Sequence, residues 1–198
     1  MGQFSHQRPI NPISEQSGHS VNGMTILEWR DTRGAKSSFR KANRMDDIQF
    51  ENNRFDPDLI EFHSIAKQMA KSVGYTAEMA IDLHLAQLLR LRVAQMNECS
   101  YCLILHTQAA EDQGVHKAKV AHLSSWREST MFSAPEQAAL AYCEGLTSYD
   151  LPGFPPLHEA LTKHFSETEI AEIAAIVINM NLWTRLKLAQ GAIPVAAG

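Results

Sequence analysis

The tightest constraint on the fold lies near the end of the chain. Ser166-Glu167-Thr168-Glu169 leads into a run that is apolar on nearly every side between Ile173 and Trp183. Serine followed three residues later by glutamate is a capping-box pattern, in which each side chain bonds the other's backbone N–H. It predicts a helix from Glu167 to about Gln190. A helix without a polar face must be covered all round, so it belongs in the middle of a bundle or across a subunit interface.

The rest of the chain repeats the helical period. Asp56 reads as a cap with Pro57 at the first helical position. Leu59, Phe62, Ile65, Ala66 and Met69 then make one apolar face that ends before Gly74. Thr76 reads as the cap of a long helix over residues 76–96, with Met79, Ala80, Leu83, Ala86, Val93 and Met96 among its apolar positions. A helix over 100–113 stops at Gly114, and a short one follows over 115–124. Ser133-Ala134-Pro135-Glu136 opens another that runs to about Ser148. Residues 151–156, LPGFPP, read as a loop, with a helix from about 156 to 164 beyond it. No strand-rich region competes, so the class is all-α: one helical domain over 56–198. Residues 1–55 form an N-terminal extension, with an arm over 1–23, a strand or docking segment over 24–30 and a short helix over 36–45.

Composition narrows the function classes. A 198-residue chain is long enough for one core and buries roughly 70% of its unfolded surface. The net charge of −4 leaves no basic field for nucleic acid. No run approaches the 18 or so apolar residues of a membrane span. The first twenty residues lack the apolar centre of a secretory signal, and His6 stands where myristoylation wants serine or threonine. There are three cysteines, two of them in a C-x-x-C pair, which fits a reducing compartment; the expected location is cytoplasmic.

The chemistry concentrates in Asn97-Glu98-Cys99-Ser100-Tyr101-Cys102-Leu103-Ile104-Leu105-His106. Asn97 is expected to cap the helix over 100–113, with Glu98 in its first turn, where the helix dipole favours negative charge. At about 100° per residue, Cys99, Cys102 and His106 fall within about 60° of one another. A thiol at a helix N-terminus is acidified, and an imidazole nearby can exchange its proton. That is a dithiol redox site. The same three residues would be three ligands of a tetrahedral zinc site, but the fourth is missing, since His116 and His122 are spaced six apart. No metal or cofactor is expected. The dipole favours Cys99 as the attacking thiol, whereas the i+4 spacing to His106 favours Cys102.

The run LRLRVAQMNECSYCLILHTQAAEDQG resembles the core motif of AhpD-like alkylhydroperoxidases, within the carboxymuconolactone decarboxylase family. The likeness continues through LSSWREST, EQAALAYCEGLT and INMNLWTRL, over about residues 57–189. It implies an AhpD-like bundle that assembles as a homo-oligomer, trimer or hexamer. It also implies a hydroperoxide substrate and a dithiol reductant, either a lipoyl-type adaptor or a peroxiredoxin. By the same resemblance Cys102 attacks the peroxide, Cys99 resolves the sulfenic acid and His106 relays protons. Tyr101 matches an aromatic variant of its slot and is a candidate pocket residue. The family's relay glutamate is replaced here by Gln87, which cannot take a proton; His84, one turn earlier, is the candidate substitute. Cys143, Trp126 and Trp183 read as core, and Arg92 and Arg185 as exposed unless an interface pairs them. Two alternatives share the fold: a carboxymuconolactone decarboxylase-type lyase, against which the cysteine pair argues, and a non-enzymatic thiol adaptor.

Overall fold

The computed structural model describes residues 48–196. The expectations for 1–23, 24–30 and 36–45 lie outside them. In chain order the elements are β1 (Ile48–Asn52), a 3₁₀ turn (Pro57–Leu59), α1 (Phe62–Lys71), α2 (Leu83–Met96), α3 (Ser100–Asp112) and α4 (Lys117–Ala121). A second 3₁₀ segment (Leu123–Glu128), α5 (Ala134–Ser148), α6 (Phe154–Thr162), α7 (Glu167–Gln190) and β2 (Ala192–Ala196) complete it. The helical class holds.

The hub is α2 rather than α7. It packs against α3, α5 and α7, and every residue from Leu85 to Leu91 is buried. On α7, Ile170, Ile173, Ile176, Val177, Met180 and Trp183 are buried, while Ile178 stays 55% exposed. The predicted capping box of Ser166 with Glu169 forms on α7, and Ser133 with Glu136 makes a second at the expected start of α5. Each satisfies two N–H groups that a helix start otherwise leaves unbonded.

Three local expectations are corrected. Helix α2 begins at Leu83 with Asp82 as its cap, not at Thr76. The Glu172 carboxylate on α7 accepts the backbone N–H groups of Ala80 (2.9 and 3.0 Å) and Ile81 (3.0 Å). That long-range contact holds the preceding segment out of the helix. Helix α6 begins at Phe154, two residues inside the expected loop, with prolines in its first turn where a missing N–H costs nothing. The apolar face expected over residues 59–69 is covered only at Ala66: Leu59, Phe62, Ile65 and Met69 are 43–74% exposed, and the other residue α1 buries is His63.

A ribbon was absent from the sequence reading. β1 and β2 pair antiparallel, Ile48 opposite Ala196 and Asn52 opposite Ala192, so the helical domain also takes in residues upstream of 56. Gly191 ends α7 at φ +68 and turns the chain into β2. A Cβ there would lie 1.9 Å from the Asn53 side chain. Asn53 and Arg54 donate backbone N–H groups to Gly191 and Gln190 carbonyls, both at 3.2 Å. A lone two-stranded ribbon is marginal in water; this one is anchored where Phe50 packs on Tyr101 of α3, ring centroids 4.3 Å apart.

Candidate active site: the thiol pair between α2 and α3

Helices α2 and α3 are joined by a tight link in which Glu98 takes a left-handed backbone (φ +50). Asn97 closes α2 rather than capping α3. Its amide donates to Asn181 Oδ1 and Thr184 Oγ1 on α7, both at 3.0 Å, which ties the link to that helix. The cap of α3 is Cys99 itself, whose sulfur accepts the backbone N–H of Cys102 at 3.3 Å. Glu98 therefore precedes the helix instead of lying in its first turn.

The two sulfurs approach to 2.7 Å, against about 2.05 Å in a covalent disulfide, and both thiols are free. Their environments differ. Cys99 is half-buried and lines a cleft of about 150 Å³ with Arg54, Glu98, Thr184, Lys187 and Ile193. Cys102 is 2% exposed. The Cys102 S–H bond to Cys99, two backbone N–H bonds and the Lys187 ammonium outweigh burial and pull the Cys99 thiol down to about 7. Cys102, holding the shared proton in a buried position beside that negative charge, is pushed up. The easily ionised sulfur is the one that faces the cleft.

His106 is buried on the next turn of α3 and meets a different partner from the one expected. Its Nδ1 is 2.8 Å from Tyr75 Oη; among the described residues no hydrogen bond joins it to either sulfur. Burial, helped by the Arg90 charge, takes its pKa down to about 3, so the ring is neutral. Arg90 stands over the Tyr75 ring at 5.1 Å and donates to the Val73 carbonyl at 2.6 Å. Gln87 is wholly buried and neither of its amide atoms has a partner. His84 is occupied elsewhere, donating from Nε2 to the Gln113 carbonyl at the end of α3 (2.9 Å). The structure thus brings Cys99, Cys102 and Tyr101 together, and does not hydrogen-bond Gln87 or His84 to them.

Tyr101 sits between the cysteines, held up at about 12 first by burial and then by the two thiols. Lys187 of α7 rests over its ring at 4.1 Å. Lys187 and Tyr75 were not singled out from sequence, since neither lies near the cysteines in the chain. Arg90, a cation set between Leu89 and Leu91, was a visible signal. Arg92, expected to be exposed, instead pairs with Glu144 at 2.6 Å, which also accepts from Trp126 (2.9 Å) and Arg127. Cys143 is a core residue, its thiol raised to about 12 by burial. Among the described residues no cluster of three His, Cys, Asp or Glu side chains is placed to hold a metal.

Residues 61–145 match the carboxymuconolactone decarboxylase family model. The fold is shared with a protein of unknown function from Agrobacterium tumefaciens, provisionally identified as the antioxidant defence protein AhpD. The two are 25% identical with a TM-score of 0.60, over 65% of this chain and 86% of that one. Over residues 61–145 the chain is similar to the carboxymuconolactone decarboxylase family. Another relative is the uncharacterized YdfG of Bacillus subtilis, 28% identical over 137 residues, covering 67% of this chain and 93% of YdfG. The debrominase Bmp8, solved with 2,3,4-tribromopyrrole, shares the fold at 21% identity and a TM-score of 0.61, over 72% of this chain and 73% of that one. The fold is therefore shared by proteins named for different chemistries, and the side chains of the site must decide among them. The family match includes both cysteines, Tyr75 and His106, while Lys187 and the ribbon lie beyond it.

Proposed function

We propose that this protein is a thiol-dependent hydroperoxidase and disulfide oxidoreductase working through Cys99 and Cys102. The observation that carries the reading is the acidified, cleft-facing Cys99 sulfur 2.7 Å from a buried thiol that keeps its proton. The Cys99 thiolate attacks the terminal oxygen of a hydroperoxide and the O–O bond breaks. The alkoxide leaves with a proton as alcohol, and Cys99 becomes a sulfenic acid. Cys102 sulfur then attacks Cys99 sulfur, forming the disulfide and releasing water. The sum is two thiols and one hydroperoxide giving one disulfide, one alcohol and one water. A dithiol donor, of the lipoyl-adaptor or peroxiredoxin kind, returns the two electrons by exchange.

This order reverses the one that the family resemblance implied, because the dipole, the cap bond and the Lys187 charge all act on Cys99. His106, neutral and bonded to Tyr75, positions α3 against the segment before α2 rather than ionising the pair. The reading includes a homo-oligomeric, cytoplasmic protein, since a reducing compartment keeps both thiols in the reduced form. A lyase role gives the lowered Cys99 pKa no use.

The test is peroxide consumption with a reduced dithiol donor for the parent, Cys99→Ser and Cys102→Ser. Turnover is expected in the parent alone, with a dimedone-trapped sulfenic acid on Cys99 in Cys102→Ser. A parent no faster than the two variants removes the hydroperoxidase reading. A dimedone adduct found on Cys102 in Cys99→Ser, with none on Cys99 in Cys102→Ser, reverses the roles.

A further inference from the structure

Lys187 sits in the last turn of α7, far from the cysteines in sequence, yet it lines the same cleft as Cys99. Its ammonium is held between two rings, 4.1 Å from the centre of Tyr101 and 5.6 Å from that of Trp183. Tyr101 is itself braced by Phe50 of the ribbon. A half-buried cation loses part of its hydration, and aromatic faces replace some of it. No carboxylate among the described residues forms an ion pair with Lys187. Arg54 stands on the same cleft, with its guanidinium donating to the Leu188 carbonyl. The exposed Glu98 is the one acidic residue in the lining, and Asp58 and Lys67 act on Lys187 from further off with opposite signs. The balance at the cleft is positive.

We infer that Lys187 is a positioning residue for Cys99, and that their cleft takes electrophiles carrying a negative charge within a few bonds of the reacting atom. The inference rests on the dithiol reading and names its substrate class: small carboxylated hydroperoxides or peroxy acids in preference to neutral alkyl ones. Lys187 and Cys99 line one cleft of about 150 Å³, so a carboxylate that meets the ammonium lies close to the atom that meets the sulfur. The cation acts twice. It stabilises the Cys99 thiolate before reaction, and it offsets the repulsion that an anionic substrate would otherwise meet from that thiolate.

The experiment compares iodoacetate with iodoacetamide on Cys99 in the full chain, with the adduct assigned by mass spectrometry. The two reagents share a leaving group and differ by one negative charge. The iodoacetate-to-iodoacetamide rate ratio is expected to be about tenfold higher in the parent than in Lys187→Met, the scale of one unit charge at short range. Lys187→Arg is expected to restore most of that ratio. The pH midpoint of alkylation should also rise in Lys187→Met. In the parent the ratio should shrink with added salt, which a purely structural effect would not do and which needs no variant to fold. A ratio insensitive to both salt and Lys187→Met overturns the inference. The outcome is separable from the hydroperoxidase test. Charge guidance without peroxide turnover removes the earlier proposal and the peroxide part of the substrate class, leaving Lys187 as a guide of anionic electrophiles to Cys99; turnover with a charge-blind Cys99 removes only this inference.

Discussion

Replacing Cys102 by alanine deletes the S–H that Cys99 leans on, and the structure sets the size of the effect. With Cys99 near pH 7, half of it is thiolate at neutral pH. A thiol at the ordinary value of 9.0 has about one part in a hundred, since 10 raised to (7 − 9) is 0.01. The gain in thiolate is about fiftyfold. Nucleophilicity falls with basicity at a slope of about 0.4–0.5, which over two units removes about eightfold. The parent should therefore alkylate at pH 7 about six times faster than an unperturbed thiol. A hydrogen bond to a charged group contributes about 1.5–3 kcal/mol, or one to two pH units. Because Cys99 is half-open to solvent, the lower end applies. Cys102→Ala should thus move the alkylation midpoint of Cys99 up by about one unit, while Cys102→Ser, which keeps a donor, should move it less. The assay is iodoacetamide labelling from pH 5 to 10, followed at Cys99 by mass spectrometry. A Cys102→Ala midpoint identical to the parent's would refute the claim that the sulfur–sulfur bond acidifies Cys99.

Two further outcomes follow from buried polar groups. Gln87 carries two unpartnered amide atoms in the core, each costing about 1–3 kcal/mol when left unbonded; Gln87→Met should raise the urea midpoint, and a fall would show that the amide is bonded in solution. His106 is neutral when folded, with its pKa near 3, but takes a proton below about 6.5 when unfolded. Its share of stability is complete above pH 6.5 and drains away at about 1.4 kcal/mol per pH unit as the pH falls toward 3. Thermal melts from pH 7 to 4.5 should fall more steeply for the parent than for His106→Gln, and parallel curves would contradict this.

Much of the molecule was legible in the chain because it depends on short-range chemistry. The α5 and α7 starts follow from serine and glutamate three residues apart, and Gly114 (φ +79) follows Gln113, the cap that ends α3, as predicted. The cysteine spacing put both sulfurs on one end of a helix, since three residues is close to one helical turn. The motif also directed attention to His106, which lies where the spacing predicted but bonds to Tyr75.

What the tertiary structure alone decided is where groups distant in the chain meet. Glu172 caught the N–H groups of Ala80 and Ile81 and moved the start of α2. Asn97 reached α7 and left the cap of α3 to Cys99. β1 found β2 across the length of the domain, and Lys187 came to rest over Tyr101. None of these has a periodicity or a local spacing to betray it, because each is a contact whose partner is chosen by packing. Sequence settled which sulfur atoms stand together; the fold made them unlike, burying Cys102, leaving Cys99 on a cleft and bringing Lys187 to that cleft from another helix.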